Sequence, residues 1–328
     1  MKKIAVITPI NKSDYLANTV LDGLIELTSV GELEFRMTGN YPTPFEVNSY
    51  VLSDEDFIEY AKSADLIILA WGKKSTNYAL AEKIGMWNKT VFVDGSELGK
   101  DNRFNIDIQD QVMKGTYDGI GAIDQTMLEK CRRYFRREKP YRNGILSFPF
   151  GIERRYGEHY SPEIKKDIDF VCIFGQENYP KMRKEARLLL EKFCKKNNFT
   201  CATSKTKGFD FDDSTKIAGR SEFYSLLARG KVGISIGGGG FDTARFWEIL
   251  GNNCMLLTER IDIDIPQSLA YSRIYEFSAI EEFEKKLIGL GEYIRMTYNQ
   301  NDMIYEYRDI LSKHSSRARV EYILQKSL

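Results

Sequence analysis

The sequence predicts an α/β protein built as two parallel-sheet domains facing a cleft, and three observations carry that expectation. The first half alternates short, wholly apolar runs with amphipathic segments, the pattern of helices crossing between parallel strands. A second alternating series begins near Asp169, after a polar stretch from Arg154 to Lys166 that reads as a linker. Inside that series, Lys231 to Glu259 (KVGISIGGGGFDTARFWEILGNNCMLLTE) reads as a strand, four glycines, a short helix and a second strand. The expected domains are residues 1–153 and residues 154–328, with the last helix a candidate to cross back to the first.

Taken in order, Lys3–Ile10 is a strand and Asp14–Thr28 a helix with Leu16, Val20, Leu24 and Leu27 on one face. Leu33–Met37 is a second strand. Ser53 and Asp54 open a helix that runs to Ser63 with an acidic first turn. Asp65–Trp71 is a continuous apolar strand, Tyr78–Trp87 a helix, and Lys89–Val93 a buried strand ending at Asp94-Gly95-Ser96. Residues 98–122 are irregular and read as a loop with room for an extra strand. Ile123–Glu138 reads as a helix and Gly144–Phe148 as a strand.

The second half gives a strand at Asp169–Gly175, a long helix at Pro180–Lys196 and a strand at Phe199–Ser204. An Asp-rich loop leads to a helix at Arg220–Ala228, then to a strand at Val232–Ile236, a helix at Asp242–Leu250 and a strand at Cys254–Thr258. Ile274–Phe277 is a short strand, Ile280–Leu290 a helix, and Tyr305–Leu328 mostly helical. The two halves are Rossmann-like, and sheets of that kind bind ligands outside the carboxyl ends of their strands. In the first half those ends are Pro9–Asp14, Trp71–Ser75 and Asp94–Glu97.

Composition narrows the partners. The 328 residues carry 47 basic and 47 acidic side chains, so no overall field draws the chain to nucleic acid or membrane. Five scattered cysteines with no CxxC pair fit a reducing cytoplasm better than a disulfide framework or a zinc site. No run approaches the roughly 20 apolar residues of a membrane span. One local basic patch, Arg132, Arg133, Arg136, Arg137, Lys139 and Arg142 with Tyr134, Phe135 and Tyr141 between, leaves room for peripheral membrane contact through 132–142 or an anionic acceptor.

Gly237, Gly238, Gly239 and Gly240 let the backbone come close to a ligand, and the N–H groups that open the next helix favour an anion. The expected pocket is bare main chain. Arg245 and Glu248 fall three apart on one helix face, a cation for diphosphate and a carboxylate for ribose hydroxyls. Phe241, Asp242 and Thr243 complete the loop, with Asp242 or Thr243 as the helix cap. Lys181 and Arg183, after the first strand of the second domain, are placed to screen phosphate charge; Lys205 and Lys207 are weaker versions of the same idea.

The run Ala244-Arg245-Phe246-Trp247-Glu248-Ile249-Leu250-Gly251-Asn252-Asn253-Cys254-Met255-Leu256-Leu257-Thr258 resembles the donor-site segment of group 1 glycosyltransferases. Within them it is similar to the subfamily named after the spore-maturation protein CgeB, whose pattern runs roughly R-x-F-E-x-L-A-x-G-x-x-L-L-T. Pro149-Phe150-Gly151-Ile152-Glu153 and the ending His314 to Leu324 are similar to segments of the same group. The resemblance implies the two-domain architecture called GT-B. It also implies a nucleotide-sugar donor held as substrate, no tightly bound cofactor, and a glycan, lipid-linked or protein acceptor. By this match Glu248 would hold the ribose. The larger group often has a Glu eight positions earlier, where this chain has Gly240.

An inverting transferase needs a base for the acceptor hydroxyl. Asp94, at a strand end on the cleft, and Asp14, in the first strand–helix loop, are the candidate catalytic carboxylates, although Asp14 also suits a helix cap. His159 is a further possibility and His314 reads as a structural contact. The pairs Asp167/Asp169, Asp210/Asp212 and Asp262/Asp264 read as chance, and no metal is expected. Two rival readings remain: a non-catalytic nucleotide-sugar-binding or envelope assembly protein, and an epimerase, which needs paired carboxylates beside the sugar.

Overall fold

Every strand among the described residues runs parallel to its neighbours, in two separate sheets. The computed structural model describes residues 1–70, 77–99, 102, 104–139, 142–204 and 216–328, with backbone only at 216–220. The first sheet has the order β2-β1-β3-β4-β5-β6. Its strands are β1 (Lys2–Ile7), β2 (Leu33–Met37), β3 (Leu66–Leu69), β4 (Thr90–Asp94), β5 (Arg133–Arg136) and β6 (Ile145–Ser147). Its helices are α1 (Tyr15–Ser29), α2 (Asp54–Ser63), α3 (Asn77–Ile84), α4 (Ile106–Lys114) and α5 (Gln125–Lys130).

The second sheet has the order β11-β10-β9-β7-β8. It comprises β7 (Ile168–Cys172), β8 (Cys201–Thr203), β9 (Gly230–Ser235), β10 (Met255–Glu259) and β11 (Ile274–Phe277). The accompanying helices are α6 (Met182–Asn197), α7 (Lys216–Arg229), α8 (Ala244–Gly251), α9 (Ile280–Met296), α10 (Ile304–His314) and α11 (Ser316–Ser327). Strand order reverses between β1 and β3 in one sheet and between β7 and β9 in the other, which is where such sheets open a crevice.

Side chains on the inner strands alternate between cores on opposite faces. Ile4 and Val6 of β1 join an apolar cluster that runs on to Trp247, Leu250 and Ile323, while Ala5 and Ile7 join a separate one with Phe57 and Phe92. The first cluster spans both sheets, so one continuous core ties the halves together. α11 returns to the first half and packs along α1. A Cβ at Gly23 would stand 2.4 Å from the Ser316 carbonyl oxygen and 2.6 Å from Val320 Cγ2, so only glycine allows that approach. Main-chain bonds from Ile152 N–H to the His314 carbonyl (2.8 Å) and from Ser316 N–H to the Ile152 carbonyl (3.0 Å) fix the return.

Two stretches differ from the sequence expectation. The described residues of 98–122 hold a helix, α4, and no strand: Asn105 caps it through the N–H groups of Asp107 and Ile108, and Gly115 ends it at φ 73°. Only Val112 of α4 is buried, so the apolar period that marks a helix is faint. Ile123–Glu138 is not one helix but α5 followed by strand β5, which pairs with β4 and β6. Tyr134 and Phe135 fill opposite cores, and Arg136 is fully buried against Asp94. A strand buried on both faces that includes a neutralised arginine has no hydrophobic alternation to read.

Candidate functional site

The glycine loop lies at the carboxyl end of β9, beside the loop that follows β7, hence at the switch point of the second sheet. Arg183 reaches across from the start of α6. Its Nη2 and Nε donate to the Ile236 carbonyl at 3.0 and 3.3 Å, and a Cβ at Gly238 would lie 3.2 Å from Nη2. Lys181 points away: its side chain is 85% exposed and pairs with Glu185. Lys205, Lys207, Asp210, Asp212, Tyr141 and the stretch Trp71–Ser75 fall outside the described residues.

The pocket is not the bare backbone that the sequence suggested. The Gly237 N–H donates to Glu259 Oε2 at 2.8 Å. The Phe241 and Asp242 N–H groups donate to the Glu138 carboxylate at 3.2 and 3.3 Å. Glu97 and Glu138 come from the first sheet, after β4 and β5. A Cβ at Gly239 would meet Glu97 Oε1 at 2.4 Å, and one at Gly240 would meet Glu138 Oε1 at 2.1 Å. Main-chain N–H groups attract anions, and here the protein's own carboxylates fill that role.

Arg137 sits among these acids, with Nη2 3.1 Å from Glu97 Oε2 and Nε 3.8 Å from both Glu138 Oε1 and Asp242 Oδ2. Burial works against its charge, but Glu97, Glu138, Asp242 and Asp14 together raise its pKa. Burial pushes the Glu138 carboxyl up to about 7; Arg137 opposes the rise while Asp242 and Glu97 add to it. Asp242 is likewise raised by burial.

Asp242 does not cap α8 with its side chain. It accepts the Trp247 indole N–H at 2.7 Å and the Phe150 N–H at 2.8 Å. Thr243 stands at the cap position without a side-chain cap bond; its hydroxyl is 3.4 Å from Ser235 Oγ. The Phe241 ring is buried edge-on against Phe104. Arg245 and Glu248 pair at 3.4 Å (Nη1 to Oε2), the Arg245 guanidinium stacks on Phe223 at 3.7 Å, and the Tyr224 hydroxyl donates to Glu248 Oε1 at 3.2 Å.

Of the two candidate bases, Asp94 is committed elsewhere. Oδ2 takes the Tyr134 hydroxyl at 2.6 Å and Arg136 Nη1 at 3.2 Å, Oδ1 takes the Ser96 N–H at 2.8 Å, and the group is buried. These bonds make it half of a buried ion pair with Arg136, where the sequence expectation was a base facing the cleft. Asp14 caps α1 through Oδ1 and stands 3.5 Å from where a Gly95 Cβ would be, at the cleft edge. Tyr41 bonds the Asp14 main chain and lines a cavity of about 630 Å³ with Asn11, Asn40 and Asn48, off the ends of β1 and β2. His159 pairs with Ser221 and Glu158. His314 is buried between the Ser268 carbonyl and Arg319.

Asp167 is held by Arg229, and Asp169 by Lys231 and Thr200. No cluster of three or more metal-ligating side chains occurs among the described residues. Folding divides the basic patch: Arg136 and Arg137 turn inward, Lys139 pairs with Asp262 and Arg142 bonds Gln125, while Arg132 and Arg133 stay exposed. No helix among the described residues is long and apolar enough to cross a membrane.

The three segments that carry the family resemblance meet at one place. Phe150 bonds Asp242, Arg319 Nε donates to the Phe150 carbonyl at 3.1 Å, and the Arg319 guanidinium lies 5.1 Å over Trp247. They form the junction of the two halves, beside the glycine loop. Sequence reading placed Glu97 at a ligand-binding strand end and Arg137 in a basic patch without joining either to the glycine loop, and it missed Glu138; placing 138 at the end of a helix hid its position at a strand's carboxyl end.

No protein-family model matches the sequence, and no curated protein does. Solved structures share its fold. An alpha-glucosyltransferase in complex with UDP and a 13-mer DNA containing a central A:G mismatch aligns with TM-score 0.63 at 11% identity over 99% of this chain and 98% of that one. A glycosyltransferase from Rickettsia africae aligns with TM-score 0.56 at 10% identity over 99% and 97%. A UDP-GlcNAc 2-epimerase from Methanocaldococcus jannaschii aligns with TM-score 0.51 at 9% identity over 98% and 99%. The chain therefore has the GT-B fold, two Rossmann-like sheets facing a cleft.

Proposed function

We propose that the chain is a glycosyltransferase of the CgeB-like kind that moves a sugar from a nucleoside diphosphate sugar to a glycan, lipid-linked or protein acceptor in the cytoplasm. One observation carries this reading: Arg183, the 237–243 loop and the Arg245/Glu248 pair converge at the switch point of the second sheet. The diphosphate would lie along the loop with Arg183 at the Gly238 end, and the ribose against Glu248. UDP-bound relatives of the same fold support the choice of donor class. Domains 1–153 and 154–328 would then hold acceptor and donor respectively.

Chemically, the leaving diphosphate gains negative charge while the anomeric carbon becomes cationic. Arg183 and the loop N–H groups would stabilise the former. The acceptor would approach from the cavity lined by Tyr41, whose hydroxyl bonds the Asp14 main chain, and Asp14 would then serve as the base. Incubation with UDP- and GDP-sugars and a panel of acceptors tests the reading. Transfer to any acceptor supports it and removes the non-catalytic alternative. Binding must come first, and a nucleoside diphosphate at a hundredfold excess over Kd should add about 2.7 kcal/mol of stability. No stabilisation by any nucleotide would remove the reading.

A second reading draws on Glu97 and Glu138. The epimerase alternative lacked paired carboxylates in the sequence, and the fold brings two to Gly239 and Gly240. An epimerised nucleotide sugar formed without acceptor would favour it.

A further inference from the structure

The two N–H groups that precede the Thr243 cap of α8 are already occupied by an anion. Glu138 Oε2 takes the Phe241 N–H at 3.2 Å and Oε1 takes the Asp242 N–H at 3.3 Å. The carboxylate also fills the space over Gly240, 2.1 Å from where a Cβ would sit. It reaches the loop from the carboxyl end of β5, on the opposite sheet. We propose that Glu138 is an internal occupant of the anion site on the glycine loop, and that a phosphate-bearing ligand binds by displacing it. This rests on the donor site proposed above and adds the step by which that site is emptied.

Three features support displacement over a fixed structural contact. Two successive main-chain N–H groups on one anion form a cradle indifferent to whether the oxygens belong to carboxylate or phosphate. Arg137 is shared among Glu138, Glu97 and Asp242, so the carboxylate is underpaid in positive charge and costs little to move. Arg183 borders the other end of the same loop at Gly238, giving a diphosphate a cation that Glu138 does not use. Because Glu138 belongs to the first domain, displacing it also releases a bond that draws the two sheets together. Ligand entry and cleft opening become one event.

The occupant should weaken on protonation. Arg137 faces it from its own strand end, Glu97 from the loop after β4, Asp242 from the loop before α8, and Asp14 stands near Arg137 from the α1 cap, with Arg319 beyond Asp242. The ionised carboxylate, which competes best with phosphate, prevails above about 7.

The test is calorimetric titration of wild type, Glu138→Gln and Glu138→Asp with inorganic pyrophosphate and with UDP, at pH 8 and pH 6. Far-UV circular dichroism checks each fold. Glu138→Gln should bind pyrophosphate about tenfold more tightly than wild type at pH 8, and the gap should close toward pH 6 as the wild-type group protonates. Glu138→Asp, too short to reach the loop, should also bind more tightly and carries the comparison should the Gln variant not fold. Equal or weaker binding by folded variants overturns the proposal and leaves the donor site standing. If neither probe binds any of the three proteins, the donor site falls and this proposal with it.

Discussion

Asp94 Oδ2 lies 3.2 Å from Arg136 Nη1 in a pair from which solvent is excluded on both sides. Each charge depends on the other, since a lone buried charge is far more costly than the pair. Asp94→Ala should therefore lower the unfolding free energy by about 3–5 kcal/mol in urea titration. Turnover per folded molecule should change little. A stable variant that had lost turnover would instead restore Asp94 as the base.

Glu248 should act on the nucleoside and not on the phosphates. Glu248→Gln keeps the size of the side chain but loses its charge. UDP binding should weaken by the roughly 1.5–3 kcal/mol of a hydrogen bond to a charged group, while pyrophosphate binding should be unaltered. Equal losses for both probes would place Glu248 in the phosphate site or in the fold alone.

Arg183 makes the converse prediction. Its guanidinium borders Gly238, so Arg183→Ala should weaken pyrophosphate and UDP by the same factor, on the order of tenfold or more for charge-assisted bonds. Lys181→Ala should leave both unchanged, because that side chain stands 85% exposed beside Glu185. Losses confined to UDP would detach Arg183 from the diphosphate.

Much of the fold was legible because its strands are short runs with an apolar signature: Leu66–Leu69 is buried throughout and wholly apolar, while the half-buried edge strands Leu33–Met37 and Ile274–Phe277 keep the limits read from sequence. The Ser53-capped helix to Ser63 did too. Strand β5 was hidden because its two apolar residues, Tyr134 and Phe135, lie between Arg133 and Arg136, and only the distant Asp94 neutralises Arg136. The same gap concealed part of the site. Gly237–Gly240, Arg183 and Glu248 announce themselves by residue type next to a strand end, whereas Glu97, Arg137 and Glu138 gain meaning only when the second sheet meets the first. Local spacing cannot report a contact that spans about a hundred residues, such as the 103 between Glu138 and Phe241.

The α1–α11 crossing offers a test of how the halves are joined. A methyl group at 23 would stand 2.4 Å from the Ser316 carbonyl oxygen, and main chain cannot yield as a flexible side chain can. Gly23→Ala should destabilise by about 1–3 kcal/mol, the usual cost of overpacking. Limited proteolysis should then cut first near α11. Unchanged stability and cleavage would mean that α11 is not clamped on α1.

Stability against pH follows from His314. Burial, helped by the nearby Arg319 charge, lowers its pKa to about 3, far below its unfolded value. A depressed folded pKa means that the unfolded chain binds the extra proton, so this contribution is whole above about pH 6.5 and is lost as the pH falls. Between pH 7 and pH 5 the loss should be about 2 kcal/mol. Glu138 and Glu153, both raised to about 7 by burial, act with the opposite sign: they stabilise at low pH and lose that contribution as the pH rises through about 7. Net stability therefore mixes the two, and the His314 share is isolated by comparing urea unfolding of wild type and His314→Gln at pH 7 and pH 5. The wild type should lose about 2 kcal/mol relative to the variant over that interval; parallel changes in the two proteins would mean that His314 takes up its proton within the folded state.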